Sequence, residues 1–116
     1  MNIEDLKIYQ IASQLRKEIN QNIPDDWKVD NIRQIKRASA SIAANITEGF
    51  GRKYYKKDFL RYLSISIGSS DECQNHVRAL FEAGYLSKEK SDYFQKRFRD
   101  LSIKIVNYRN CIKSDC

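Results

Sequence analysis

The sequence predicts an all-α fold: a single-domain, antiparallel, up-down-up-down four-helix bundle over residues 1–116. Three observations carry that expectation. Apolar residues recur three and four apart along most of the chain, which is the spacing of one helix face. One proline and four glycines leave few places to turn, and Pro24, the Gly49/Gly51 pair and Gly84 divide the chain into four segments. No segment alternates apolar and polar residues between hairpin turns, so a β-rich fold is not supported.

The first helix, about residues 4–20, places Ile8, Ala12, Leu15 and Ile19 on one face. After Pro24, Asp25 or Asp26 is available to cap a second helix over about residues 26–48, whose stripe is Ile32, Ile35, Ala38, Ile42 and Ile46. The third covers about residues 56–83 and is the longest, roughly 40 Å. It carries Phe59, Leu63, Ser66, Ser70, Cys73, Val77 and Leu80, with Gly68 in its interior and Gly84 as its C-terminal cap. Ser87 reads as the N-cap of the fourth, about residues 88–112, where Phe94, Phe98, Leu101, Ile105, Tyr108 and Ile112 form a seam. Short loops make neighbours antiparallel, packed near a +20° crossing angle.

Composition narrows the functional classes. Hydrophobic residues at 41% and charged residues at 31% suit a folded globule. The opening "MNIEDLKIYQ" has two acids and no apolar signal core, and no apolar run approaches the ~18 residues of a membrane helix, so a cytoplasmic protein without a membrane partner is expected. Cys73, Cys111 and Cys116 lack CxxC spacing, and their odd number fits a reducing compartment. The lone His76, beside Glu72 and Cys73, matches neither a zinc pattern nor a di-iron repeat; no metal and no cofactor are expected.

The net charge of +6 is unevenly placed: residues 31–61 hold eight basic against two acidic side chains. "RKYYKKDFLR" puts Lys53, Lys57 and Arg61 at spacings of four with Arg52 and Lys56 beside them, and Arg33, Lys36 and Arg37 lie earlier in the block. Such a cluster attracts polyanions, RNA or DNA, and Tyr54 and Tyr55 offer rings that stack on unpaired bases. The competing reading is a solvated helix start. Positive charge there opposes the macrodipole, so five nearby cations are a feature to explain. On the far side of helix two, Ala40 and Ala44 let another helix come close, which predicts a homo-oligomer, although alanine is also the best helix former.

Taken at about 100° per residue, Ser41, Asn45 and Glu48 form a stripe bordering the core face of helix two, and Ser66, Ser69 and Glu72 face it from helix three. A structural polar network joining Ser41, Asn45, Glu48, Ser69 and Glu72 is expected. Glu48 and Glu72 also admit an acid/base reading, but the sequence supplies no nucleophile or metal beside them and only His76 as a further titrating group. "GFGRK" lacks the preceding strand and third glycine of a dinucleotide loop, and there is no GxSxG elbow or catalytic Cys/His pairing. The Asn45-Ile46-Thr47 sequon falls inside a helix. No enzyme is expected.

"QIKRASASIAANITEGFGR", followed by "DFLRYLSISIGSSDECQNHVRALFEAGYL", resembles the four-helix bundle family encoded by intervening sequences within bacterial 23S ribosomal RNA genes. The matching positions are Arg37, Ala38, Ser41, Ile42, Asn45, Ile46, Glu48, Gly49, Gly51, Arg52, Phe59, Gly68, Ser69 and Glu72, and the likeness extends from "DLKIYQIASQL" through the fourth helix. Thr47 stands where the family usually has alanine, and Cys73 where leucine is usual. The resemblance implies a bundle that assembles into a ring-like homopentamer with no established catalytic activity. A fold relative, the accessory variability protein of diversity-generating retroelements, implies partners of two kinds: nucleic acid and a reverse transcriptase. The expected function is therefore a non-enzymatic, basic, oligomeric bundle that binds nucleic acid or serves a ribonucleoprotein, the alternative being a scaffold that docks a larger enzyme such as a reverse transcriptase.

Overall fold

The computed structural model describes residues 1–115. A 3₁₀ turn at Ile3–Asp5 leads into four helices: α1 (Lys7–Asn22), α2 (Asn31–Gly51), α3 (Lys56–Glu82) and α4 (Lys88–Lys113). Consecutive helices pack against each other, most extensively α2 on α3 and α3 on α4, and α1 meets α4 to close a bundle of 45 × 21 × 21 Å. No strand occurs among the described residues.

Every apolar residue assigned to the stripes of the first three helices is buried, as are Phe94, Phe98, Leu101 and Ile105. Tyr108 and Ile112 are only partly covered. The reason is length: α1 has 16 residues against 26 in α4. Glu18, near the end of α1, bonds Tyr93 and Arg97 near the start of α4, so the last turns of α4 run past α1. Two buried serines serve close approach between helices. Ser66 Oγ donates to the Ile42 carbonyl at 3.1 Å and Ser70 Oγ to that of Phe98 at 2.8 Å, so both hydroxyls are satisfied where a larger side chain would hold the helices apart.

Three boundaries differ from the sequence reading. The first helix begins at Lys7 because residues 3–5 form a separate turn, closed by the Asn2 amide on Asp5 Oδ2 at 3.0 Å, and Leu6 is extended and buried. The second begins at Asn31, since Asp25 pairs with Lys36 instead of capping and Trp27 packs on Tyr85 with ring centroids 5.2 Å apart. It also runs through both glycines to Gly51. Gly49 is buried where α3 crosses: a β-carbon there would lie 2.9 Å from Tyr62 Cβ and 3.1 Å from Phe59 Cδ1. The residue read as a stop signal is a packing device.

The end of α3 matches expectation. Gly84 has φ +86°, its amide bonds the Phe81 carbonyl at 3.0 Å and that of Tyr85 bonds Leu80 at 2.9 Å, the two bonds of a Schellman cap. Ser87 Oγ then accepts the Lys90 amide at 3.1 Å to start α4. Cys73 is free and fully buried, and burial pushes its thiol well above the ordinary range. Cys111 is disulfide-bonded, which departs from the reduced state expected from the sequence, and Cys116 lies outside the described residues.

Candidate nucleic-acid interface

The α2–α3 turn, Arg52–Tyr55, forms one tip of the bundle. Backbone bonds from Arg52 to Gly49, Lys53 to Phe50, Tyr55 to Arg52 and Phe59 to Tyr55, between 2.8 and 3.2 Å, fix its course. The turn is therefore short and held by backbone bonds on both sides, and it delivers Lys56, Lys57 and Arg61 onto the first turns of α3.

Its five cations differ in environment. Arg52 reaches Glu48 Oε1 at 3.1 Å and Asp58 Oδ2 at 3.8 Å, and the Glu48 hydrogen bond raises its pKa further above the usual guanidinium value. Lys56 pairs with Asp115. Among the described residues, Lys53, Lys57 and Arg61 make no ion pair. Lys53 Nζ lies 4.2 Å from the Phe50 ring centroid, and the Arg61 and Arg52 guanidiniums lie 4.6 and 5.5 Å from that of Tyr62. Rings thus hold Lys53 and Arg61, which no carboxylate among the described residues neutralises, as well as the paired Arg52. Asp58, in the first turn of α3, offsets the unfavourable meeting of positive charge with the helix dipole. Tyr62 carries no signal in the sequence, because its contact with Arg52 crosses the turn.

Arg33, Lys36 and Arg37 belong elsewhere. They stand near the start of α2, about 22–28 Å along the helix axis from Arg52 at ~1.5 Å per residue. Lys36 is held by Asp25, and with Arg33 and Trp27 it borders a shallow groove of about 440 Å³. The eight basic candidates therefore form two groups near opposite ends of α2.

The expected polar network is also divided. Ser41 Oγ meets Ser69 Oγ at 3.0 Å across α2 and α3, and Asn45 Nδ2 donates to the Ser41 hydroxyl at 2.9 Å and to its carbonyl at 2.8 Å. Glu48 turns to Arg52, while Glu72 approaches His76 Nε2 at 3.9 Å; both carboxylates are half exposed. His76 Nδ1 contacts Asn31 Nδ2 at 3.0 Å, a further link between α2 and α3. With Ser41 level with Ser69, antiparallel geometry puts Glu48 level with Tyr62, so Glu72 stands ten residues, about 15 Å, further along. The two carboxylates are not a facing pair. Among the described residues no three His, Cys, Asp or Glu side chains gather as metal ligands, and no helix is long and apolar enough to cross a membrane.

A third feature lies between α1 and α2, where the shorter contact leaves an open groove of about 630 Å³. Tyr9, Ser13 and Arg16 form one wall and Ala40, Ala43 and Ala44 the other, so the small face of α2 remains accessible.

Comparison with known proteins follows the same lines. A family model described as 23S rRNA-intervening sequence protein matches residues 4–107. The fold is similar to that of a protein of unknown function from the S23 ribosomal protein family of Bacteroides thetaiotaomicron VPI-5482, with a TM-score of 0.74 at 18% identity over 93% of this chain and 98% of that one. No curated protein matches.

Proposed function

The chain belongs to the 23S rRNA-intervening sequence protein family, and from that premise we propose that it is a non-enzymatic, cytoplasmic accessory bundle that associates with copies of itself and binds nucleic acid, RNA foremost, through the α2–α3 tip. One observation carries the reading: Lys53, Lys57 and Arg61 are clustered, exposed and, among the described residues, unpaired, while the neighbouring carboxylates Glu48, Asp58 and Asp115 are engaged by Arg52 and Lys56. Phosphates would complete those cations without first displacing a carboxylate from them. Self-association rests on the accessible alanine face of α2, and the pentameric number on the family resemblance alone. A ring of tips would multiply weak single contacts into useful avidity.

The α1–α2 groove favours a second reading, a scaffold that docks a larger protein such as a reverse transcriptase and for which nucleic acid is incidental. Filter binding of an unstructured RNA oligonucleotide tests the first reading. Retention is expected at about 50 mM salt and should fall steeply by about 200 mM, with a log–log slope near −2 for three phosphates per protomer at ~0.7 each. No retained RNA at the lower salt would overturn it.

A further inference from the structure

Tyr54 and Tyr55 are 88% and 72% exposed, whereas the next most exposed aromatic, Tyr93, stands at 42%. Rings so exposed contribute little to folding through burial. They are consecutive, and they stand on a turn whose backbone is fixed on both sides: the Tyr55 amide bonds the Arg52 carbonyl at 2.8 Å and the Phe59 amide bonds the Tyr55 carbonyl at 3.0 Å. Their presentation is thus pre-organised, so little loop ordering remains to oppose binding. Charge that is unpaired among the described residues lies on both sides in sequence. Lys53 Nζ is 5.7 Å from the Tyr54 ring centroid, and Lys57 follows one turn later on α3. The nearest acidic side chains in sequence, Glu48 and Asp58, are both engaged by Arg52.

We infer that the tip is a stacking platform for unpaired nucleobases, so its ligand is single-stranded nucleic acid in preference to duplex. This rests on the phosphate-binding reading above and adds a requirement to it. Cations alone serve a duplex as well as a single strand, because both present phosphates outward. Ring faces differ: a duplex hides the faces of its bases in the stack, and only an unpaired strand can lay them on tyrosine. Two solvent-facing rings beside free lysines match the second ligand and gain nothing from the first.

The test uses the full-length protein and two labelled probes of equal length, an unstructured single-stranded RNA and an RNA duplex, read by fluorescence anisotropy at about 50 mM salt. The wild-type protein is expected to prefer the single strand by about tenfold. Tyr54→Ala with Tyr55→Ala should remove that preference, weakening the single strand by about tenfold or more and the duplex by less than about twofold, and Tyr54→Phe with Tyr55→Phe should restore it. Both residues are exposed, so circular dichroism should be unchanged. Equal loss on both probes, or wild-type binding without preference, overturns the stacking inference and leaves phosphate binding standing. Failure of the wild-type protein to bind either probe overturns both. Tyrosine-dependent capture of phosphatidylglycerol vesicles, with no preference between the nucleic acids, would instead assign the rings to a membrane surface and overturn the inference.

Discussion

Replacing Lys53, Lys57 and Arg61 together with glutamate is expected to weaken binding of a single-stranded RNA oligonucleotide by about 100-fold or more at about 50 mM salt. It should also flatten the salt dependence by about two units of log–log slope, since each lost phosphate contact removes ~0.7. Among the described residues those three are the tip cations without carboxylate partners, so the change removes available charge and breaks no ion pair seen there. The fold should persist. All three side chains are exposed, and a glutamate at position 57 places negative charge in the first turn of α3, where the helix dipole favours it. The matched control replaces Arg33, Lys36 and Arg37 at the opposite end of α2, where less than about tenfold loss is expected because that group lies outside the tip. The triple tip variant also separates the two functional readings. If a protein partner is still pulled down after nuclease treatment, and RNA was never retained, the scaffold reading replaces the nucleic-acid one.

The largest expected change in stability comes from Gly49→Ala. Its new β-carbon would meet Tyr62 Cβ at 2.9 Å and Phe59 Cδ1 at 3.1 Å, and the first of these atoms sits directly on the α3 backbone. Relief requires α2 and α3 to move apart along their extensive interface, at about 1–3 kcal/mol for overpacking, against up to ~1 kcal/mol gained from alanine's helix propensity. A net loss of about 1–2 kcal/mol corresponds to roughly 5–10 °C in melting temperature. Gly51→Ala is the internal comparison. Nothing lies within 4 Å of a β-carbon at Gly51, so that variant should melt at or above the wild-type temperature. Thermal melts by circular dichroism decide both. Equal effects at the two positions would mean that the close approach at Gly49 does not carry the packing between α2 and α3.

The two glycines also mark where the sequence is legible. Periodicity identifies the core because burial repeats with the helix, and Ile35, Ile42, Leu63 and Leu101, each fully buried, were all readable in that way. Helix limits depend on partners remote in sequence. Asp25 looks like a cap until Lys36 claims it, and Gly49 looks like a stop until Tyr62 is seen against it. The polar network forms only in part, without Glu48 and Glu72, for a related reason. A helical wheel gives the angle of Glu48 and Glu72 but not their height, and height separates them, whereas Ser41, Asn45 and Ser69 agree in both. In the basic cluster, the presence of five cations is evident from the sequence, but their availability is not. Lys56 is neutralised by Asp115, a residue 59 positions away that no local pattern could connect to it.

The central claim, that nucleic acid is held at the α2–α3 tip, is tested most directly by photocrosslinking a bound single-stranded RNA oligonucleotide to the wild-type protein, cleaving after glutamate and locating the adducts by mass spectrometry. The account predicts adducts in the peptide between Glu48 and Glu72, on residues 53–57. Adducts confined to the peptide that holds Arg33 and Arg37, or an even scatter over all peptides, would contradict it.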